Sequence, residues 1–505
     1  MWRNRKKILE NIKITKIWFG GVGIVKMDNG KTLLISGGVL PWMIVDVRIL
    51  KNKKDYIAWQ VFAVKDFDLN VKDNINLCKH NFIYWTDYLK DKVDLPQTGI
   101  WCGWCKWQVL PYEEQIKLKE AVVKDSFFKT WFFDKVYSWI VPSKKIFNYR
   151  NKMEFSFWRY ISKKTYENWQ VEYQHLSDWS LWFHKQWQFS KIIDIDDCLI
   201  AWYKINQIFK YLKLIFQKSW LPVYDQMRHT WFFRHFVVRE WINTWQILIN
   251  LNIATKHFEN NKKDLENWNS LQKQIKEDDF LKENITSFMI TENNWLADVV
   301  NWQDIKTYDL WGNGSIFEKL IIDNVETSFK VSAFSFFQTN TYQAQVLFQT
   351  AKDMLPNIKW NILDLYCGAW TIGITLLKQW IWENLLWVEI VPDAVEDAKQ
   401  NAKINWISQI SKFVADKAEN INFEAENIWL VVIDPPRSWL HKNVVNFLIN
   451  LKNKYKFPLL YISCNPVTMA RDLKMLEEWW WDVKNLKAVD MFPHTHHIEM
   501  IWLLK

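Results

Sequence analysis

NILDLYCGAWTIGITLL runs from Asn361 to Leu377. Its first six residues are mostly apolar with one acid, Asp364, the pattern of a short strand buried on both faces. An apolar helical pattern follows Gly373. Strand, glycine turn and helix together let a small ligand approach the backbone and the helix N-terminus. Trp370 is out of keeping, because it stands where the backbone must come closest to that ligand. Read as glycine, it turns the stretch into Gly368-Ala-Gly-Thr-Ile-Gly373, a GxGxxG turn. Glu389 ends the next apolar run, where a carboxylate can accept both hydroxyls of a ribose. These signals fit NAD as well as S-adenosylmethionine.

Outward from this stretch the rhythm is α/β from about residue 331. Strand patterns at 361–366, 385–390, 412–416, 429–434 and 458–463 alternate with helical ones such as 393–405. Alternation of this kind predicts a Rossmann-like parallel sheet with helices on both faces. Ligands then bind at the carboxyl ends of the strands. Residues 1–64 instead alternate apolar and polar in short runs separated by glycine or proline, which predicts a small five-strand, OB-like barrel. Residues 65–330 mix strand patterns with a Lys/Glu/Asn-rich helical segment near 256–286 and read as a central α+β domain. The Lys-rich run reads as a solvated face.

Thirty-six tryptophans stand against 12 glycines, where an average chain of this length would carry about 35 glycines. Many tryptophans occupy turn contexts: LPWMIV, FSFWRY, NTWQIL, KINWIS, PPRSWL. Tryptophan is a poor turn residue, since a Cβ opposes the positive φ that glycine adopts. Most of these positions are therefore expected to be glycine in the native organism, through a reassigned stop codon.

The net charge of +9 is spread along the chain, and a mildly basic surface suits a polyanion such as RNA. No apolar run reaches a membrane span, and the N-terminus lacks the apolar core of a secretory signal. A cytoplasmic location and reduced thiols are expected, with the six cysteines serving as ligands, nucleophile or core residues. Cys102 and Cys105 in CGWC have a spacing suited to a metal or cluster. No close set of three cysteines suggests a radical S-adenosylmethionine enzyme.

The later strand ends separate the cofactor alternatives. IDPPRSWL places Asp434 just beyond a strand, with two prolines stiffening the loop. YISCNPVTMARDL places Cys464 at the end of the next, and DMFPHTHHIEMI places Glu499 on an edge strand near the C-terminus. A cysteine, an aspartate and a glutamate beside a methyl donor suit methylation of a poorly nucleophilic ring carbon. The thiolate adds to carbon 6 of uracil, carbon 5 attacks the methyl group, and a base removes the carbon-5 proton as the thiolate leaves.

With these motifs in hand, the chain resembles the RNA uracil-5-methyltransferases over nearly its whole length. The likeness is strongest in FSFFQTNTYQA, LDLYCGA, DPPRS, SCNPVTMARDL and DMFPHTHHIE. It implies a class I methyltransferase domain over 331–505, with Cys464 as nucleophile, Glu499 as proton-abstracting base and Asp434 on the uracil edge. Gln338, Tyr366, Thr371, Glu389, Asp416 and Asp434 would line the S-adenosylmethionine site, and Phe336 would stack near the target base. The HTHH run would position Glu499, and Cys367 would be a packing residue.

The resemblance also implies that residues 1–64 form a TRAM-like RNA-binding barrel. It further implies that Cys78, Cys102, Cys105 and Cys198 hold a [4Fe-4S] cluster, with zinc as the alternative occupant. The 23-residue gap between Cys78 and Cys102 is longer than the family's. This layout resembles the 23S ribosomal RNA branch more than the transfer RNA branch, and the enzyme is expected to act as a monomer. The competing readings are a noncatalytic RNA-binding or ribosome-assembly factor on the same fold, and a NAD-dependent enzyme. SCNP and DPPR speak against the last.

Mass spectrometry of the tryptic peptide Trp360–Lys378, from protein made in its native host, should show glycine at position 370. Tryptophan there would mean a filled cofactor turn.

Overall fold

The computed structural model describes residues 8–67, 78, 102, 104–128, 130–165, 171–185, 188–194, 197–225, 230, 232–295, 305–355, 361–366, 371–379, 384–421, 430–436, 440–477 and 483–505. Trp370, Gly368, Cys367 and Trp439 lie outside them, and so does the core of the expected GxGxxG turn.

The C-terminal half is built on an eight-stranded sheet. Its parallel core is β17 (Ile362–Leu365), β18 (Leu385–Glu389), β19 (Ser411–Ala415), β20 (Leu430–Ile433) and β21 (Leu459–Ser463). All residues of β17, β20 and β21 are buried, as expected of strands covered on both faces. With β22 (Val483–Val489), β23 (Glu499–Leu504) and β7 (Tyr137–Val141), the spatial order is β19-β18-β17-β20-β21-β23-β22-β7. The chain thus leaves β17 in two directions, which opens a crevice at its carboxyl end. Strand β23 runs antiparallel to both β21 and β22.

β7 alters the expected domain plan. It belongs to the 65–330 segment, yet it pairs in parallel with β22 at the edge of the catalytic sheet. Residues from Trp107 to Ile140 share one apolar core with that sheet. The hairpin of β15 (Ser315–Ile322) and β16 (Val325–Ser332) likewise packs into the core of the C-terminal half. What remains of the central segment is a seven-stranded sheet formed by strands β8 to β14 between Lys152 and Trp311, with its own core.

At the N-terminus six strands, not five, form a sheet over Ile8–Phe67. The chain leaves the first strand at Ile14, whose N–H donates to the Met43 carbonyl at 2.8 Å. That separates β1 (Ile8–Lys13) from β2 (Lys16–Trp18).

Among the described residues, four tryptophans adopt left-handed backbone conformations: Trp42, Trp220, Trp245 and Trp406. Trp42 follows Pro41 in a turn closed by Met43 N–H to Leu40 O at 3.3 Å, the third position of a type II turn, where glycine is usual. Trp406 follows the helix Pro392–Ile404 and its cap Asn405. Its N–H bonds Lys403 O at 3.2 Å, and Ile407 N–H bonds Ala402 O at 3.0 Å. That pair of bonds defines a Schellman ending, whose left-handed residue is most often glycine. Trp59, Trp107, Trp241 and Trp502 are buried with indole N–H groups that have no hydrogen-bond partner, whereas buried tryptophan usually finds one. These positions support the expectation that tryptophan here stands for glycine.

The Trp406 side chain is 93% exposed, so replacing it sacrifices little packing. Trp406→Gly should stabilise the C-terminal half by about 1 kcal/mol by relieving left-handed strain, read as a higher urea midpoint. Trp406→Ala, which keeps the Cβ, should give little of that gain.

Candidate active site

The crevice beyond β17, β20 and β21 is a cavity of about 640 Å³. Each strand end contributes a side chain to it: Tyr366 after β17, Glu389 at the end of β18, Asp434 after β20 and Cys464 after β21. Because β23 runs the opposite way, its first residue, Glu499, reaches the same end of the sheet and the same cavity. Thr371 opens the helix Thr371–Gln379, and Phe336 and Gln338 enter from the segment before the helix Thr341–Met354. All but one of the residues expected around cofactor and base therefore line one space. The exception, Asp416, lies in a smaller adjoining cavity that shares Tyr366, Glu389 and Ile390 with the first.

Local chemistry fixes these groups. Ser463 Oγ accepts the Asn465 N–H at 3.2 Å, and Asn465 Oδ1 accepts those of Val467 and Thr468 at 3.0 and 3.3 Å. Asn465 thus caps the helix Pro466–Glu477 and sets Cys464 just before its N-terminus, where backbone dipoles favour negative charge. Phe336 is exposed at the cavity, while Gln338 beside it is buried. Their segment is tied down by Asn151, whose Nδ2 donates to Gln338 O at 3.1 Å and to Thr341 Oγ1 at 2.8 Å.

Glu389 Oε1 accepts the N–H groups of Ile390 and Val391 at 2.8 and 3.0 Å. Asp416 Oδ1 accepts Lys417 N–H and Asn420 Nδ2, and these bonds hold its carboxyl below the usual range. Tyr366 adopts a left-handed φ of +61°, an uncommon state for a bulky residue and one that clusters at functional sites. Burial pushes its phenol up to about 12.

Loss of solvation pushes the Asp434 carboxyl up to about 7. Behind it, buried Asp364 is held well above the carboxylate range, first by burial and then by the charge of Asp434. A Cβ on Gly373 would lie 2.5 Å from Asp364 Oδ2 and 2.8 Å from the Trp387 ring. Gly373 is the glycine that lets this helix approach the sheet.

The four cysteines expected as ligands come from three stretches of chain and meet electrostatically. Burial is the main cause that raises the Cys102 and Cys105 thiols, and Cys198 and Cys78 both add to it. No described cysteine is in a disulfide. Among the described residues, no group of three or more His, Cys, Asp or Glu is arranged to hold a metal ion. His496 and His497 of the HTHH run pack ring to ring at 4.2 Å, and His497 lines the cavity.

Several cavity residues carried no sequence signal. Arg150 and Trp104 form the wall between the cavity and the cysteines, with the guanidinium 4.5 Å over the indole. Phe492 and Thr495 enter from the turn before Glu499. Both lie within DMFPHTHHIE, which marked the turn but did not single out these two side chains.

Comparison with known proteins agrees with this geometry. The family model described as tRNA (Uracil-5-)-methyltransferase matches residues 111–505. An uncharacterized RNA methyltransferase of Clostridium acetobutylicum is 33% identical, over 99% of this chain and 98% of its own. Another, from Caldanaerobacter subterraneus, is 29% identical over 98% of each. The solved Pyrococcus abyssi tRNA (uracil-54, C5)-methyltransferase, in complex with S-adenosyl-L-homocysteine, superposes with a TM-score of 0.65 at 24% identity, covering 98% of this chain and all of that one. No helix among the described residues is long and apolar enough to cross a membrane. With two strand ends and one reversed strand delivering Asp434, Cys464 and Glu499 to a single cavity, the chain belongs to the tRNA (uracil-5-)-methyltransferase family of RNA-methylating enzymes.

Proposed function

We propose that this chain methylates carbon 5 of a uridine in RNA, with S-adenosylmethionine as donor and a covalent cysteine–uracil adduct as intermediate. The observation that supports it is the meeting of Cys464, Asp434 and Glu499 in the cavity that also holds Gln338, Tyr366, Thr371 and Glu389. In this reading Glu389 and Tyr366 hold the nucleoside half of the donor, Asp416 extends that subsite, and Phe336 stacks against the flipped base. Cys464 Sγ bonds to carbon 6, and the resulting enolate at carbon 5 displaces S-adenosylhomocysteine from the methyl group. Glu499 then takes the carbon-5 proton, the C5=C6 bond re-forms, and the C6–S bond breaks. Binding alone requires none of these three residues, which argues against a noncatalytic RNA-binding factor.

The substrate proposed is 23S ribosomal RNA, on the strength of the six-stranded N-terminal sheet as an RNA-binding TRAM-like module and of the four cysteines. Transfer RNA is the second reading, favoured by the likeness to the Pyrococcus abyssi enzyme. Initial rates on ribosomal and transfer RNA transcripts separate the two.

For the cysteines, the donor set suits a [4Fe-4S] cluster: four thiols near enough to act on one another electrostatically, Cys198 buried and the other three half-buried. A cluster places its irons between the thiolates and accepts a wider ligand spread than one tetrahedral ion. Zinc is the alternative occupant. Bound there, a cluster would supply a fixed link between three chain segments.

Cys464→Ala should lower turnover by roughly 10⁴-fold or more while leaving RNA affinity within about threefold. Retained methylation would refute the nucleophile assignment. Glu499→Gln should transfer methyl groups yet trap the enzyme on RNA, seen as a band shifted on a denaturing gel.

Asp434 is the stronger hydrogen-bond acceptor for uracil as a carboxylate, with both oxygens free to accept. Its raised pKa means that form is gained as pH rises through about 7, so kcat/KM should climb across that range. The same sign makes its contribution to stability greatest in acid and lost as pH rises through about 7. Residual activity of Asp434→Asn should lack the climb, which a pH–rate profile will show.

A further inference from the structure

The turn Asp490–His497 leads into Glu499 and carries Phe492, Thr495 and His497 to the cavity. Side chains from distant segments hold its backbone. Lys119, fully buried, pairs with the Asp490 carboxylate at 2.5 Å and donates to Phe492 O at 3.0 Å. Asn340 Nδ2 donates to Met491 O at 2.8 Å, and Tyr149 OH to Pro493 O at 3.0 Å.

His494 sits at the centre, buried and with a φ of +67°. A left-handed histidine is uncommon and persists only where its surroundings over-determine it. Gln115 supplies most of that constraint. Its Oε1 accepts the His494 N–H at 2.9 Å, and its Nε2 donates to His494 Nδ1 at 3.1 Å. Phe147 stacks on the ring at 4.4 Å. The His494 carbonyl accepts the backbone N–H of Trp107 at 3.0 Å. Trp107 lies two residues past Cys105, and Gln108 after it accepts the Cys78 N–H at 3.2 Å.

We infer that Gln115 and His494 are positioning residues for Glu499, and that the cysteine-bearing segment acts on the proton-removal half of the reaction through the Trp107–His494 bond. The inference rests on the proposed uracil chemistry. Cys464, Tyr366 and Glu389 hang from other strand ends that this turn does not hold. Loosening the turn therefore displaces Glu499 from the carbon-5 proton but leaves thiolate addition and methyl transfer in place. The stalled species is the methylated adduct, with its C6–S bond intact and its carbon-5 proton retained.

The test is Gln115→Leu, which removes both bonds to His494 and keeps comparable bulk. Adducts are followed on denaturing gels with radiolabelled RNA, and methyl content with tritiated S-adenosylmethionine. Turnover should fall about tenfold, the cost of losing buried hydrogen bonds, while single-turnover methyl transfer stays within about twofold. Methylated adduct should accumulate, and S-adenosylhomocysteine affinity should hold within about twofold. Equal loss of both steps in a variant that still binds S-adenosylhomocysteine overturns the inference, and so does unchanged turnover. Should Gln115→Leu not fold, His494→Asn, which tolerates the left-handed backbone but lacks the ring, is judged by the same readout. A wild-type chain that forms no adduct with 5-fluorouridine RNA overturns the underlying uracil reading instead.

Discussion

One reversed strand makes this site possible. Parallel strands all deliver their carboxyl ends to the same edge of a sheet, and β17, β18, β20 and β21 do so here. Each of those strands ends in a turn toward a helix, so each can offer one side chain where it leaves the core. β23 enters the sheet from the opposite direction, between β21 and β22. It offers its first residue at the same edge and can be preceded by a long shaped turn. The carboxylate of Glu499 is therefore mounted differently from the thiol of Cys464. The thiol is set by a capped helix, the carboxylate by a turn that distant side chains brace.

Two carboxyls near the cavity illustrate how the sheet tunes its groups. Asp434 stands beyond the strand, poorly solvated, with its acidity moved close to neutrality. Asp364 is one layer deeper and is driven further up by burial and by its neighbour. Close packing of the helix Thr371–Gln379 over Gly373 keeps water from Asp364. An outer carboxylate that can ionise and an inner one that resists ionisation follow from depth and from the charge of the outer on the inner.

The sequence disclosed the strand ends because parallel, doubly covered strands are continuous apolar runs, and a polar residue at the end of such a run stands out. Asp434, Cys464 and Glu389 were legible for that reason. Glu499 was legible as an acid on an edge-like run, but its role as base, like the place of Tyr366, needed the resemblance. Gln115 and the Lys119–Asp490 pair were not legible, because each acts across more than 300 residues of chain and nothing local marks it. The sixth N-terminal strand was not legible because the first strand, Ile8–Lys13, is largely exposed and carries no clear apolar alternation. The tryptophans were the opposite case: their positions read as turns, and Trp42 and Trp406 do adopt the backbone of glycine.

The parallel pairing of β7 with β22 has a consequence for how the molecule comes into being. Tyr137 lies against Leu486, so the two partners leave the ribosome about two thirds of the chain length apart. The N-terminal sheet can close as soon as it emerges, since its strands are neighbours in sequence. The stretch from Trp107 to Ile140, with Cys105 just before it, must wait with its apolar face uncovered until the final residues are made. Contacts of such separation form late and leave the waiting surface open to wrong partners. Maturation of this enzyme is thus gated by completion of the last strand pair, and the cysteine-bearing wall beside the cavity settles only when the catalytic turn arrives to meet it.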